Sequence, residues 1–395
     1  MKTAIVGGGA AGFFLAINLK EMMPEMEVTI FEKSKKVLAK VEVSGGGRCN
    51  CTNSFAGVCD LSVVYPRGHR LMKRLFKTFD YHDAYKWFER HGVRLMTQDD
   101  QCVFPESQDS HSIINCFLFE AKRHGVVIQT GSKIESLDDL KGYDYIAITT
   151  GGRTPGDRLL DDAKDHGPVP LIPSVPSLFT FSIADKALHA LMGTVVEKAT
   201  AFIPGTNFRA TGPLLITHWG MSGPAILKLS SYAARELHEH HYQMPLSVNW
   251  ASSKEPDIQE EIRGLIATCP QKQLTTIRPF GLPSRLWTYL LEKALGERAR
   301  NRWQNLNQKE LNRLTNTLCN DTYQIEGRAA FKDEFVTCGG VNLTSVNPNT
   351  LESKHLPHIY FAGEVLDIDG ITGGFNFQAA WTTAYTVATA ISKAH

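Results

Sequence analysis

The spacing of apolar residues changes along the chain, and each change marks an element. At the amino terminus "TAIV" is a short β-branched run, glycines interrupt it, and Phe13, Phe14, Ile17 and Leu19 then recur at helical spacing. A second strand-like run, "EVTIFEK", follows. Residues 145–149 read as a buried strand, 359–362 as another, and a long helix of small residues starts near Gly374. From about Leu178 come the strand-like runs "SLFTFSI", "TVVEKATAFI", "GPLLITHW" and "PLSVNW", with one brief helical stretch, "SGPAILKLSSYAARELHEH". From 255 to 320 the period turns helical in "DIQEEIRGLIATC", "LPSRLWTYLLEKALGERA" and "QKELNRLTNTLC". Strand-like "YQIEGRAAFKDEFVTCGGV" then leads back toward the carboxy-terminal elements.

The first turn carries chemistry. Gly7, Gly9 and Gly12, with Ala10 and Ala11 between them, satisfy GxGxxG between a strand and a helix. The first glycine permits the tight turn, the second lets the backbone approach a pyrophosphate, and the third lets helix and strand pack closely. Glu32, followed by Lys33, ends the second strand twenty residues after Gly12, where an acceptor for the adenosine ribose is expected. A carboxylate there repels a 2′-phosphate, so the site suits FAD or NAD(H) rather than NADP(H).

Later segments favour FAD. The strand at 359–362 runs into Gly363 and Glu364, similar to the second flavin signature of two-dinucleotide-binding flavoproteins, in which an Asp binds a ribityl hydroxyl; Glu364 is longer by one methylene. The helix opening "GGFNFQAAW" points Gly373, Gly374, Phe375, Asn376 and Phe377 toward the N1 and O2 edge of the isoalloxazine, where negative charge gathers on reduction. Thr150, Gly151 and Gly152 follow a strand as the "ATG" stretch of such proteins does. "GVVIQTGSKIESL" reads as a hairpin strand with Ile134 against adenine. The stretch "KVEVSGGGRCNCTN", residues 40–53, reads as one wall of the flavin pocket. In it Gly45, Gly46 and Gly47 permit close backbone approach. Lys40, Ser44, Arg48, Cys49, Asn50, Thr52 and Asn53 supply polar groups and thiols.

"VSGGGRCNCTN", "LLITHWGMSGPAILKLS" and "VTCGGVN…AGEVLDIDGITGGFNFQAAW", in that order, resemble the BaiN-like family of NAD(P)/FAD-dependent oxidoreductases, some of them described as aminoacetone oxidases. The resemblance covers essentially the whole chain. It implies an α/β fold in which a Rossmann-like FAD-binding domain, 1–183 with 335–395, is interrupted by a β-rich unit, 184–254 with 321–334, and a helical unit, 255–320.

The family leaves the reaction open. The expected activity passes hydride from NADH or NADPH through the flavin to a small acceptor such as an enone. With no second GxGxxG, the nicotinamide is a transient visitor, and an amine oxidase using dioxygen remains an alternative. His218, Arg48 and Asn376 are the catalytic candidates, with Thr217 and Ser222 beside His218 as an anion or carbonyl site. Tyr65 and His69 read as packing residues.

Charge narrows the partners. The 42 basic and 41 acidic residues leave a formal net charge of +1, which opposes a nucleic-acid or membrane footprint and hence the further alternative of an FAD-dependent RNA-modifying enzyme. "YPRGHRLMKRLFK" at 65–77 is the local exception, read as a helix with a solvated basic face. The 8 cysteines form no regular framework, no charged leader precedes an apolar run, and no metal set is expected, so the chain reads as a reduced, cytoplasmic protein with a small-molecule substrate. A thiol redox sensor through Cys49 and Cys51 is the last alternative. Monomer and homodimer are both compatible with the sequence.

Overall fold

The computed structural model describes residues 1–152, 159–161, 169–329 and 336–394. The chain forms two compact units, Met1–Val175 with Val336–His395, and Pro176–Phe335. The sequence pattern places the insertion at 184–334; the second unit here begins at Pro176, and the later boundary, with the end of the strand-like run at 330–335, lies outside the described residues.

The first unit is built on a five-stranded parallel sheet in the order Ile359–Phe361, Tyr145–Ile148, Lys2–Val6, Glu27–Glu32, Val127–Thr130. Four of its strands are short and largely buried, as suits strands covered on both faces, while the edge strand Val127–Thr130 is mostly exposed. Register fixes the site. Val6 pairs with Phe31 and with Ile148, and Ile148 pairs with Phe361, so the strands end level. Gly7, Glu32, Thr149 and Ala362 therefore stand in one row at the carboxyl edge, where open parallel sheets hold their ligands.

Helix Ala10–Met22 follows the first strand and is buried continuously from Ala11 to Leu19. It packs against helix Phe375–Lys393, whose Ala379, Ala380, Ala384 and Ala388 are buried. The segment Val127–Thr130 is the fifth parallel strand, paired with Glu27–Glu32, and not the hairpin strand expected for it. After it the chain runs without regular structure past half-buried Ile134 to a 3-10 turn at Leu137–Leu140. A small antiparallel sheet, Thr52–Asn53 with Cys102–Pro105 and Leu95–Thr97, also belongs to this unit and lies near the glycine loop.

The second unit carries a seven-stranded sheet in the order Asp321–Gln324, Pro245–Asn249, Val195–Phe202, Arg209–Ile216, Gly220–Ser222, Phe181–Ser182, Gly327–Arg328. Its pairings are antiparallel. Helices Glu255–Thr268, Ser284–Leu295 and Gln308–Cys319 share this sheet's core: Ile258, Trp287, Leu290 and Leu314 lie in one cluster with Ala201, Leu214, Leu246 and Val248. Amphipathic helices with one apolar stripe must bury it somewhere, and here the sheet face receives it.

Candidate functional site

The first strand turns into its helix through glycines held by contact. Gly7 has φ +120° and donates its N–H to Phe31 O at 2.8 Å. A Cβ at Gly7 would stand 2.4 Å from Thr149 O, and one at Gly12 only 2.0 Å from Gly7 O. Gly9, between them, has no atom within 4 Å of its would-be Cβ. Two glycines are thus needed for packing, while the third faces open space ahead of the helix amino terminus, the place for a pyrophosphate. Glu32 closes the turn from the next strand: Oε2 accepts from Gly8 N at 2.9 Å, and Oε1 from Ser34 N and Oγ, both at 2.8 Å. Oε2 keeps a lone pair for a ribose hydroxyl. Lys33 is exposed.

Along the same edge, Gly152 and Gly151 pass Glu364; Cβ atoms there would lie 3.0 and 3.6 Å from its carboxylate. Glu364 Oε1 accepts from Thr337 N at 2.8 Å, and Oε2 pairs with Lys40 Nζ at 2.7 Å. Gly363 has φ +79°, and its Cβ would meet Ala11 at 2.8 Å, so the second signature packs onto the first helix. The Thr150 hydroxyl is buried with no hydrogen-bond partner among the described residues. An orphaned hydroxyl, an open glycine and two carboxylates on one edge fit a dinucleotide.

The stretch 40–53 is largely helical. Ala39–Gly47 starts as a helix that ends at Ser44, whose Oγ donates to Val41 O at 2.8 Å, and Gly45 and Gly46 then turn left-handed with φ +56° and +68°. Arg48 stacks on Phe104 at 4.2 Å and donates to Gly45 O and Gln108 Oε1 at 3.2 and 3.1 Å, which commits the guanidinium to its own loop. Cys49 and Cys51 are both fully buried. Burial pushes the Cys49 thiol up to about 12 and Cys51 well above its ordinary value. The reactive-thiol sensor is therefore corrected: removing a thiolate from water outweighs anything Arg48 offers.

Beyond the cysteines the chain docks on the carboxy-terminal helix. Thr52 Oγ1 donates to buried Gln378 at 2.6 Å, Trp381 Nε1 to Cys51 O at 2.7 Å, and Asn53 Nδ2 to Gly373 O at 2.9 Å. Asn50, with its amide oriented to donate to Thr52 O at 2.9 Å, accepts from Gly374 N at 3.3 Å. A Cβ at Gly374 would come within 2.1 Å of Thr52 O. The Asn376 side chain does not face the groove with free donors: it accepts from Gly370 N at 2.8 Å and donates to Gly370 O at 2.9 Å. The backbone N–H groups of Phe375, Asn376 and Phe377 are the first of this helix and find no partner among the described residues. Phe375 is buried, and Phe377 stacks on Trp381 at 5.5 Å.

One pair escaped the sequence reading. Arg67 makes a two-pronged ion pair with Asp369, Nε to Oδ1 at 2.6 Å and Nη2 to Oδ2, and Asp369 is fully buried. It ties the chain after the glycine loop to the loop before helix Phe375–Lys393. The signal was a pair of acids, Asp367 and Asp369, in "VLDIDGITGG", a stretch rich in apolar residues and glycine. Gln378, Thr382, Thr383 and Thr386, polar yet buried, were a second signal that this helix is held by hydrogen bonds. Tyr65 is buried and donates to Phe375 O at 2.8 Å, and His69 opens the next helix.

His218 belongs to the second unit, exposed, with its ring edge-on to Trp219 at 4.4 Å. Beside it the Thr217 hydroxyl is buried without a partner among the described residues, and Ser222 is half-buried on its strand. Among the described residues no helix is long and apolar enough to cross a membrane.

The family model described as "HI0933-like protein Rossmann domain" matches residues 1–390. A 3-dehydro-bile acid delta(4,6)-reductase of Clostridium scindens is 26% identical over 99% of this chain and 99% of its own. A ribosomal RNA dihydrouridine synthase of Haemophilus influenzae is 27% identical over 98% of each. Among solved structures, a 3-ketosteroid delta1-dehydrogenase from Sterolibacterium denitrificans aligns over 100% of this chain and 99% of its own with a TM-score of 0.50 and 10% identity, a likeness of fold. Matched nearly end to end, the chain belongs to the HI0933-like Rossmann-domain family, among the BaiN-like flavoproteins it resembles, and is an FAD-dependent oxidoreductase.

Proposed function

We propose that the protein reduces a carbon–carbon double bond conjugated with a carbonyl group. The observation that carries this reading is that two relatives of near-equal similarity bear names describing the same kind of bond in unlike molecules. In a 3-dehydro bile acid the delta(4) bond adjoins the 3-oxo group. In uridine the 5,6-bond that dihydrouridine lacks is conjugated with the ring carbonyl.

The chemistry FAD supplies when bound is a two-electron transfer: a hydride from NADH or NADPH ends on one carbon of the bond, a solvent proton adds to its neighbour, and the nicotinamide leaves oxidised. The chain's own groups set the stage. Gly9 leaves room for the pyrophosphate against the helix amino terminus, and Glu32 accepts from the ribose. Lys40 holds the Glu364 carboxylate in place, leaving lone pairs for a ribityl hydroxyl. The N–H groups of Phe375, Asn376 and Phe377, with the helix dipole behind them, stabilise negative charge at the ring edge. Arg67 and the Asn376 amide act at one remove, fixing the loop that presents that helix end.

The test is anaerobic. NADH or NADPH bleaches the visible flavin band, and 2-cyclohexenone or a uridine-containing RNA then restores it with one saturated product per flavin. Bleaching that neither acceptor reverses sinks the reading, and peroxide formed from an amine in air replaces it with an oxidase.

A further inference from the structure

Helices Ser284–Leu295 and Gln308–Cys319 of the second unit pack together and bury Leu290, Leu291, Leu311 and Leu314 in its core. The face of the later helix that stays outside this core repeats at i, i+3, i+4 and i+7 as Lys309, Asn312, Arg313 and Asn316. With Lys293 of the earlier helix, these four line a cavity of about 420 Å³ that includes no carboxylate and no aromatic ring. Pockets for small molecules start at about 300 Å³, so there is room for more than a lone ion.

The donors are set in place by partners outside the cavity. Lys293 Nζ lies 2.6 Å from Asp321, a buried carboxylate that also accepts from Trp250 Nε1 at 2.9 Å and from the Tyr323 hydroxyl. Burial works against the Lys293 ammonium, but the Asp321 charge outweighs it and holds the group above its ordinary value. Asn312 Oδ1 accepts from Gln308 Nε2 at 2.9 Å, so its Nδ2 donors are what it can offer a ligand. Glu310, the acid next to Lys309, is buried and taken by Arg298 at 2.8 Å and by Asn307 N at 3.1 Å. The side chains of Lys309 and Arg313 have no hydrogen-bond or ion-pair partner among the described residues.

With Lys293 offset by Asp321, Lys309 and Arg313 leave two positive charges at a space lined by donors. A phosphate monoester carries about two negative charges near neutral pH, spread over oxygens that point in three directions. That suits donors arriving from two helices. A carboxylate brings a single charge in one plane, and a nucleobase would find no ring here to stack on. We infer that the cavity binds a small, non-aromatic phosphate ester through Lys293, Lys309, Arg313 and the Asn312 amide. The site belongs wholly to the second unit and does not depend on the reaction proposed above.

Isothermal titration of the FAD-loaded protein, whose dinucleotide turn is then filled by the cofactor's own phosphates, tests this at constant ionic strength. The probes are glycerol 2-phosphate, inorganic phosphate, acetate and heparin. Glycerol 2-phosphate is expected to saturate a single site with a Kd of about 1 mM or tighter, inorganic phosphate to bind more weakly, and acetate roughly tenfold more weakly or worse. Lys309→Ala/Arg313→Ala should weaken the ester roughly tenfold or more by removing its charged donors, with FAD content and melting temperature kept. Asn312→Asp should do the same, since it keeps the acceptor for Gln308 and sets a carboxylate among the donors. Ester affinity unchanged in both variants, or no saturable binding of the ester, overturns the inference. Inorganic phosphate bound as tightly as the ester reduces the site to one for an ion and overturns it too, as does heparin binding that outcompetes the ester, which would mark an open cationic surface.

Discussion

Two glycine clusters of the first unit are required for different reasons. In the turn Gly7–Gly12 the outer glycines are required by contact, since a methyl group at either would meet backbone atoms at 2.4 and 2.0 Å. In the run Gly45–Gly47 all three have positive φ; a Cβ at Gly45 would also meet Asn50 N at 2.8 Å, but at Gly46 and Gly47, with nothing within 4 Å of a would-be Cβ, the requirement is conformational alone. The first cluster fixes how strand and helix pack, and the second only how the chain reverses after a helix. Glycine by itself therefore says nothing about proximity to a ligand. Open space beside an ordinary φ, as at Gly9 with φ −94°, is the better sign.

Substitution can break that contrast at its strongest point first. Gly12→Ala forces a methyl group into Gly7 O and is expected to cost about 3 kcal/mol through overpacking, read as a lowered urea midpoint together with loss of bound flavin. An unchanged midpoint would show that the turn yields where the contacts say it cannot. Gly9→Ala separates ligand from fold. Stability should stay within about 0.5 kcal/mol, while FAD affinity, followed by fluorescence on reconstitution, drops roughly tenfold or more because the methyl occupies the pyrophosphate's path. Retained affinity would move the pyrophosphate away from this turn. Gly46→Ala is the mildest. With no clash and only a left-handed backbone to maintain, it should cost about 1 kcal/mol in the same denaturation experiment and leave FAD affinity unchanged. A large affinity loss at Gly46 would bring that loop against the cofactor and erase the distinction.

The charge pattern gives the same lesson on a larger scale. A net charge of +1 averages a stretch of five cations and no acid with the rest of the chain. Surface potential depends on which charges face solvent unpaired, and pairing is invisible until Arg67 is seen on Asp369.

Much of the parallel sheet was legible because it is written locally. The strand before Gly7, the helix after it, Glu32 at a strand end and the helix from Phe375 each follow from the period of apolar residues and the placing of glycine. The strand Val127–Thr130 was misread as part of a hairpin because a short β-rich run does not reveal its partner; its pairing with Glu27–Glu32 is set a hundred residues away.

The sequence by itself thus determined the order of elements, the dinucleotide turn and the family, since each depends on residues near one another along the chain. Only the tertiary structure decided which polar groups remain free. Arg48 is spent on Phe104, Asn376 on Gly370, Lys40 on Glu364, and the two cysteines are sealed from solvent. Among the described residues, what is left to meet a ligand includes the backbone of Phe375–Phe377, the Thr150 hydroxyl, the open side of Gly9 and the remaining lone pairs of Glu32 and Glu364. Hydrogen-bond capacity and exposure are consumed by partners up to hundreds of residues distant, and that accounting exists only once the chain has folded.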